Sequence, residues 1–110
     1  MKSWPKITVV TPNYNGAAFL EKTIRSVVYQ DYPNLEYIVV DGASTDASMS
    51  IIDRYRTMIS CVICEKDEGH ADALNKGFAC STGEIMAWIN SDDILLPGSL
   101  SLAAQIFTQM

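Results

Sequence analysis

Two carboxylates stand side by side at Asp92 and Asp93, between apolar runs, in the stretch Glu-Ile-Met-Ala-Trp-Ile-Asn-Ser-Asp-Asp-Ile-Leu-Leu (residues 84–96). Ile85 to Ile89 is nearly continuously apolar, which predicts a strand covered on both faces. Asn90 and Ser91 end it. Adjacent carboxylates in such a place need water, donors or a cation. Two chemistries therefore suit the stretch: a divalent-cation site, or a polar turn in which Ser91 or Asp93 helps the chain change direction. Three further apolar runs end in the same manner, at Thr11-Pro12-Asn13, Asp41-Gly42 and Glu65-Lys66-Asp67.

These residues must be positioned by the elements that precede them. Lys6 to Thr11 is short and β-branched, hence a strand, and Pro12-Asn13-Tyr14-Asn15-Gly16 breaks it. A helix to about Tyr29 comes next, with Phe19, Leu20, Thr23, Ile24, Val27 and Val28 on one face. Leu35 to Val40 is a second buried strand. Ser44, Thr45 or Asp46 can cap the next helix, which turns Ile51, Ile52, Tyr55 and Met58 inward. Ser60 to Cys64 is the third strand. A helix from about His70 to Cys80 presents Ala71, Leu74 and Phe78, and Thr82-Gly83 precedes the strand at Ile85. Pro97 suits the first turn of a fourth helix. The order β-α-β-α-β-α-β-α predicts an α/β fold: a Rossmann-like parallel sheet with helices on both faces.

Composition narrows the function. Eight basic and thirteen acidic residues give a net charge of −5, which argues against nucleic acid as a partner. No run of about 18 apolar residues is present to span a membrane. The N-terminus lacks the apolar core of a signal peptide. An odd count of three cysteines fits a reducing, cytoplasmic compartment better than a disulfide framework. Cys61 and Cys64, three apart on a strand, point to opposite faces, so buried structural thiols are expected rather than a zinc site. Trp88 is expected in the core, and Trp4 in terminal packing.

In an open parallel sheet, ligands bind at the carboxyl ends of the strands. All four ends here carry polar side chains, mostly acidic. Two like charges 4 Å apart cost about 4 kcal/mol at an effective dielectric near 20. A bound Mg²⁺ or Mn²⁺ would relieve that repulsion and could hold a diphosphate. The first βα turn has no Gly-x-Gly-x-x-Gly, and no Gly-Lys-Ser/Thr phosphate loop occurs. A carboxylate at Asp41 is placed to accept from a ring N–H or a ribose hydroxyl.

Thr11-Pro12-Asn13-Tyr14-Asn15, the run 39–46 (Val-Val-Asp-Gly-Ala-Ser-Thr-Asp), Asp72-Ala73-Leu74-Asn75-Lys76-Gly77, Thr82-Gly83-Glu84 and Asn90-Ser91-Asp92-Asp93, in this order, resemble family 2 glycosyltransferases of the GT-A fold. The resemblance implies transfer of a sugar from a nucleotide-diphospho donor, a UDP-sugar being favoured, to a hydroxyl of a saccharide or lipid-linked acceptor, with inversion and a divalent metal. It places Thr11, Pro12 and Asn13 in the nucleotide pocket, Asp41 on the base, and Asp67, Asp72 and Lys76 beside the nucleoside. Ser91 and Asp92 count with the nucleotide residues, and Asp92 and Asp93 with the Mn²⁺ or Mg²⁺ site. The family often has aspartate where this chain has Asn90, which removes one candidate metal carboxylate.

Family members are longer than 110 residues, and their acceptor-activating carboxylate lies beyond this stretch. Residues 1–110 are therefore expected to be the donor-binding part of the GT-A domain, without turnover alone. A surface exposed where the remainder docks could pair two copies, and a longer protein could lie at a membrane surface. A non-catalytic nucleotide-binding or assembly module is the main alternative. A phospho-acceptor signalling domain wants its acidic pair after the first strand, where Pro12-Asn13 stands. Plainer readings accompany the single residues: Asp46 as a cap, Asp72 and Lys76 as a surface ion pair, His70 as a solvated helix start or a phosphate contact, Tyr14 as a base-stacking ring or a structural lid.

Overall fold

The computed structural model describes residues 4–109. Four parallel strands, β1 (Ile7–Asn13), β2 (Leu35–Asp41), β3 (Cys61–Cys64) and β4 (Ile85–Trp88), alternate with four helices, α1 (Ala17–Val28), α2 (Ser48–Arg54), α3 (His70–Ala79) and α4 (Ser99–Thr108). The sheet order is β3-β2-β1-β4. The chain walks outward from β1 to β3, then crosses back to place β4 on the other side of β1. The order therefore reverses between β1 and β4, the position where open α/β sheets bind ligands.

Strand periodicity divides the core in two. Odd-numbered residues of β1 and β2 (Ile7, Val9, Tyr37, Val39) pack with Leu20, Ile24 and Val27 of α1, Ile51 and Ile52 of α2, and Leu100 and Ala104 of α4. Even-numbered Val10, Ile38 and Val40 pack against Ala73, Leu74 and Phe78 of α3. The helices thus cover both faces of the central strands. On the α3 side the approach is close: a Cβ on Gly77 would fall 2.5 Å from Val10 Cγ1 and 3.2 Å from Val40 Cγ2.

Several expectations need correcting. β1 runs through Pro12 to Asn13. In a parallel strand alternate residues bond to alternate neighbours, and the even residues of β1 face β4, as the Ile89 N–H to Val10 C=O bond shows. β4 pairing ends at Val10–Trp88, so the missing N–H of Pro12 costs no ladder bond. β4 is covered on one face only: Met86 and Trp88 are 57% and 56% exposed, because it is an edge strand and α3 packs on β1 and β2 instead. Trp88 is thus not core. Phe19, Met58 and Ala71 are exposed too. Cys61 is half-buried, and Cys64 and Cys80 are exposed, since β3 is the other edge and only four residues long. Pro97 lies outside α4, which begins at Ser99 after Gly98 takes a left-handed φ of 81°. Trp4 does pack at the end of the sheet, edge-on to Tyr32 at 5.5 Å.

At the amino-terminal edge of the sheet, Glu36 gathers the turn before β4. Its carboxylate accepts from the Thr8 hydroxyl at 2.7 Å, the Thr82 N–H at 2.8 Å and the Thr82 hydroxyl at 3.0 Å, with Lys6 Nζ at 3.6 Å. Burial opposes its charge, but the Thr82 and Thr8 donors and the Lys6 ammonium outweigh it and hold the pKa below the ordinary glutamate value. A depressed pKa stabilises the fold above the unfolded-state value, and that contribution is lost as pH falls through the folded-state value. Glu36→Gln should therefore be less stable than wild type at pH 7 by about 1 kcal/mol, with the difference shrinking below about pH 4, as read by urea titration at both pH values. Gly77→Ala should cost about 1–3 kcal/mol in the same assay, because its methyl group would meet Val10 in a packed layer.

Candidate active site

The carboxyl ends of β1, β2 and β4 and the loop before α3 enclose a cavity of about 870 Å³. The turn after β1 contributes Pro12, Asn13, Tyr14 and Gly16, and the first turn of α1 adds Phe19. Gly42 and Ala43 come from the end of β2, and Lys66, Asp67, Gly69, His70 and Ala73 from the β3–α3 side. Asn90, Ser91 and Asp92 form the opposite wall. Of the residues that the resemblance assigns to the nucleotide and metal sites, five meet here: Pro12, Asn13, Asp67, Ser91 and Asp92. Thr11, Asp41, Asp72, Lys76 and Asp93 are not on the wall, and each has an identifiable place elsewhere.

Asp41 lies directly behind the wall and is 0% exposed. Its Oδ1 accepts from Asn13 Nδ2 at 2.9 Å and the Ser44 hydroxyl at 2.7 Å, and its Oδ2 from the Ser44 N–H at 2.8 Å. The Cys64 thiol approaches Oδ2 at 3.9 Å; burial and this carboxylate push the Cys64 pKa up. Ser44 Oγ in turn accepts from the Asn15 N–H at 2.8 Å, and Asn15 Oδ1 accepts from the Thr45 N–H at 2.8 Å. Asp46 completes the lacing by accepting from the Ala17 N–H (3.0 Å) and the Ser48 N–H (2.9 Å), so from outside the N-cap positions, which are Gly16 and Ala47, it satisfies the first N–H of both α1 and α2. The two loops close at the expense of left-handed backbone at Asn15 (φ 52°) and Ala43 (φ 65°).

Thr11 is buried and shares a 2.8 Å hydrogen bond with the Tyr37 hydroxyl. Burial drives the Tyr37 pKa far up, against the pull of Thr11. Asp72 and Lys76 form an i, i+4 ion pair of 3.4 Å that turns back onto the β3–α3 loop. Lys76 Nζ also reaches Glu65 at 3.3 Å and donates to the Lys66 carbonyl at 3.0 Å, while Asp72 accepts from the Glu68 N–H at 2.9 Å. The Glu68 N–H, helped by Lys76 and opposed by burial, lowers the Asp72 pKa. Burial works against the charge of Lys76, but Glu65 and Asp72 outweigh it and raise the pKa. The pair shapes the wall from outside.

The acidic turn is a tight reversal in which the Asp93 N–H donates to the Asn90 carbonyl at 3.0 Å. Asp92 faces the cavity; Asp93 uses its carbonyl to accept from the Thr23 hydroxyl at 2.6 Å. The segment beyond is held by α1 and the residue just past its end: Ser26 Oγ accepts from the Leu95 N–H at 3.0 Å, and Gln30 binds the Leu96 carbonyl (2.8 Å) and the Leu100 N–H (3.1 Å). Asn13 Oδ1 is buried and accepts no hydrogen bond from the described residues. It faces Ser91 across Gly16, where a Cβ would collide with Oδ1 and sit 2.7 Å from Ser91 Oγ.

The sequence profile of glycosyl transferase family 2 matches residues 8–109. The chain belongs to glycosyl transferase family 2. It is 34% identical over 105 residues to an uncharacterized glycosyltransferase of Nostoc, alr2836, covering 93% of this chain and 33% of that protein. Residues 1–349 of Staphylococcus aureus TarS, a poly(ribitol-phosphate) β-N-acetylglucosaminyltransferase, solved with UDP-GlcNAc, superpose with a TM-score of 0.86 at 27% identity, over 94% of this chain and 31% of that TarS fragment. The Pyrobaculum calidifontis mannosyltransferase PcManGT, solved with GDP-Man and Mn²⁺, gives 0.79 at 33% identity, over 96% and 35%. The α/β sheet is therefore that of the GT-A glycosyltransferases. This family 2 chain spans about a third of the length of the curated relatives it matches.

Gly42 and Lys66, at the strand ends, and Ala43, in the run 39–46, reach the wall as their positions suggest, whereas Phe19 joins it without a sequence signal that marks it as ligand-facing. Helical spacing places Phe19 with the core residues of α1, but its position three residues after Gly16 brings it to the cavity rim. The buried Asp41 cluster predicts that Asp41→Ala lowers unfolding stability by about 2–4 kcal/mol, since the Asn13 and Ser44 donors lose their acceptor. An unchanged urea midpoint would show that the two loops close without it.

Proposed function

We propose that the cavity binds the nucleotide-diphospho part of a sugar donor and that this chain is the donor-binding portion of a metal-dependent, inverting glycosyltransferase. The observation that carries this is Asp92 on the wall of a cavity of about 870 Å³ at the point where the strand order reverses. Such a volume accommodates a ligand of nucleotide size. The likeness to TarS with UDP-GlcNAc and to PcManGT with GDP-Man and Mn²⁺ supports a nucleotide sugar, a UDP-sugar being favoured.

On this reading the apolar wall of Pro12, Tyr14 and Phe19 takes the flat base, and Asp41 fixes the loops that form the base pocket from behind. Asp67 stands beside Gly69 and is placed for ribose hydroxyls, its Oδ1 accepting from the Gly69 N–H at 3.1 Å. Asn13 Oδ1, an acceptor without a partner among the described residues, offers a site for a ligand N–H or O–H. Among the described residues no three His, Cys, Asp or Glu side chains gather into a site that could hold an ion unaided. A cavity-facing carboxylate such as Asp92 fits Mg²⁺ or Mn²⁺ of the kind that takes one or two protein ligands and completes its shell with phosphate and water. Asp92 is the residue that would hold it, with Asp93 behind. The ion would neutralise charge developing on the departing nucleoside diphosphate.

Transfer to a saccharide or lipid-linked acceptor hydroxyl needs a base within hydrogen-bond reach of that hydroxyl. In this reading that base, and the acceptor platform, come from polypeptide outside residues 1–110, and the chain alone does not turn over. The uncovered Met86 and Trp88 support docking of further polypeptide, or a second copy, on that side of the sheet. No helix among the described residues is long and apolar enough to cross a membrane.

Calorimetry with UDP and GDP, each with and without Mn²⁺, tests the reading. Binding should be metal-dependent. Asp92→Asn should remove most of the metal effect, a loss of roughly tenfold or more, whereas Asp93→Asn should change it little. Binding of either nucleotide unaffected by Mn²⁺ would favour a non-catalytic nucleotide module instead.

A further inference from the structure

His70 begins α3, and its Nε2 lies 2.7 Å from Asn90 Oδ1, the first residue of the acidic turn. Both residues line the cavity. α3 otherwise leans on β1 and β2 and makes few contacts with β4, which is why Met86 and Trp88 are bare. The hydrogen bond therefore spans a gap that packing does not fill.

The turn itself is short of anchors. Its far end is tied to α1 through the Thr23 hydroxyl and the Asp93 carbonyl. Its near end comes directly after Ile89, whose N–H is the last to reach β1. An amide oxygen can only accept, so the pairing makes Nε2 of His70 the donor. An asparagine at the start of a turn commonly bonds its own backbone two residues on. Here its oxygen is engaged by α3 instead, and the turn is suspended between α1 and α3 with Asp92 at its middle.

Building on the donor-site reading above, we propose that His70 is a positioning residue: by holding Asn90, it fixes the turn that aims Asp92 into the cavity. It acts through Asn90 and not by touching the donor. Groups that orient a metal-binding side chain without touching the ion are worth about 10–100-fold in metal affinity. The carboxamide of glutamine carries an N–H donor of similar reach, so glutamine should replace the imidazole.

The test compares wild type, His70→Ala and His70→Gln by calorimetry with UDP, with and without Mn²⁺, alongside melting temperatures. His70→Ala should weaken binding in the presence of Mn²⁺ by about tenfold or more, leave metal-free binding within about twofold, and melt within a few degrees of wild type. His70→Gln should recover most of the loss. If His70→Ala weakens binding equally with and without Mn²⁺, the residue contacts the nucleotide directly and the positioning role is overturned. It is likewise overturned if His70→Ala binds as wild type does, or if glutamine fails to rescue. Wild type that binds UDP with no metal effect removes the donor-site reading itself, an outcome recognisable before any variant is compared.

Discussion

A carboxylate removed from water must find donors, and Asp41 finds them in the two loops that frame the cavity. It is 0% exposed, so its charge is tolerable only because Asn13 and Ser44 supply three hydrogen bonds. Those donors sit at the end of β1 and in the loop after β2. Satisfying the carboxylate therefore forces the loops together, and Asn15 and Asp46 then tie them to the starts of α1 and α2. The left-handed backbone at Asn15 and Ala43 is tolerated because so many bonds over-determine the conformation. Pro12, Tyr14, Gly16, Gly42 and Ala43 reach the cavity wall through this lacing.

The opposite wall obeys a different constraint. β4 is an edge strand that pairs with β1 for four residues, and the segment after it has no regular partner until α4. Backbone groups there still need bonds. α1 and the residue just past its C-cap supply them from a polar stripe, Thr23, Ser26 and Gln30, at spacings of three and four. The stripe lies beside the apolar face of Leu20, Ile24 and Val27. One helix thus closes the core with one set of side chains and holds the irregular segment of residues 93–100 with another.

Much of this is legible in the sequence, and the reasons differ by element. The order of strands and helices comes from apolar runs of strand length alternating with helical spacing, and convergence of polar residues at one sheet edge comes from the parallel arrangement. The bare face of β4 is not legible, because a continuous apolar run does not say whether a neighbour covers both faces. Met86 and Trp88 look identical in sequence to residues of an inner strand. Phe19 looks like core because helical spacing cannot tell the first turn of a helix, which overhangs the sheet end, from turns that lie over it. Nor does periodicity distinguish a carboxylate that faces a ligand from one that holds the loops behind it, as Asp41 does. Of its partners, Asn13 lies on a different strand and meets it only in the fold.

Asn90, an amide beside two carboxylates, has a structural account. An aspartate there would add a third negative charge to the turn that carries Asp92 and Asp93. The amide removes that charge while keeping an oxygen that can accept from His70. A carboxylate would accept the same bond. The amide therefore keeps the connection between α3 and the acidic turn while carrying no charge of its own. The division of labour in the turn comes from this geometry: Asn90 is bound to α3, Asp93 to α1, and Asp92, held between them, is the carboxylate of the turn that faces the cavity.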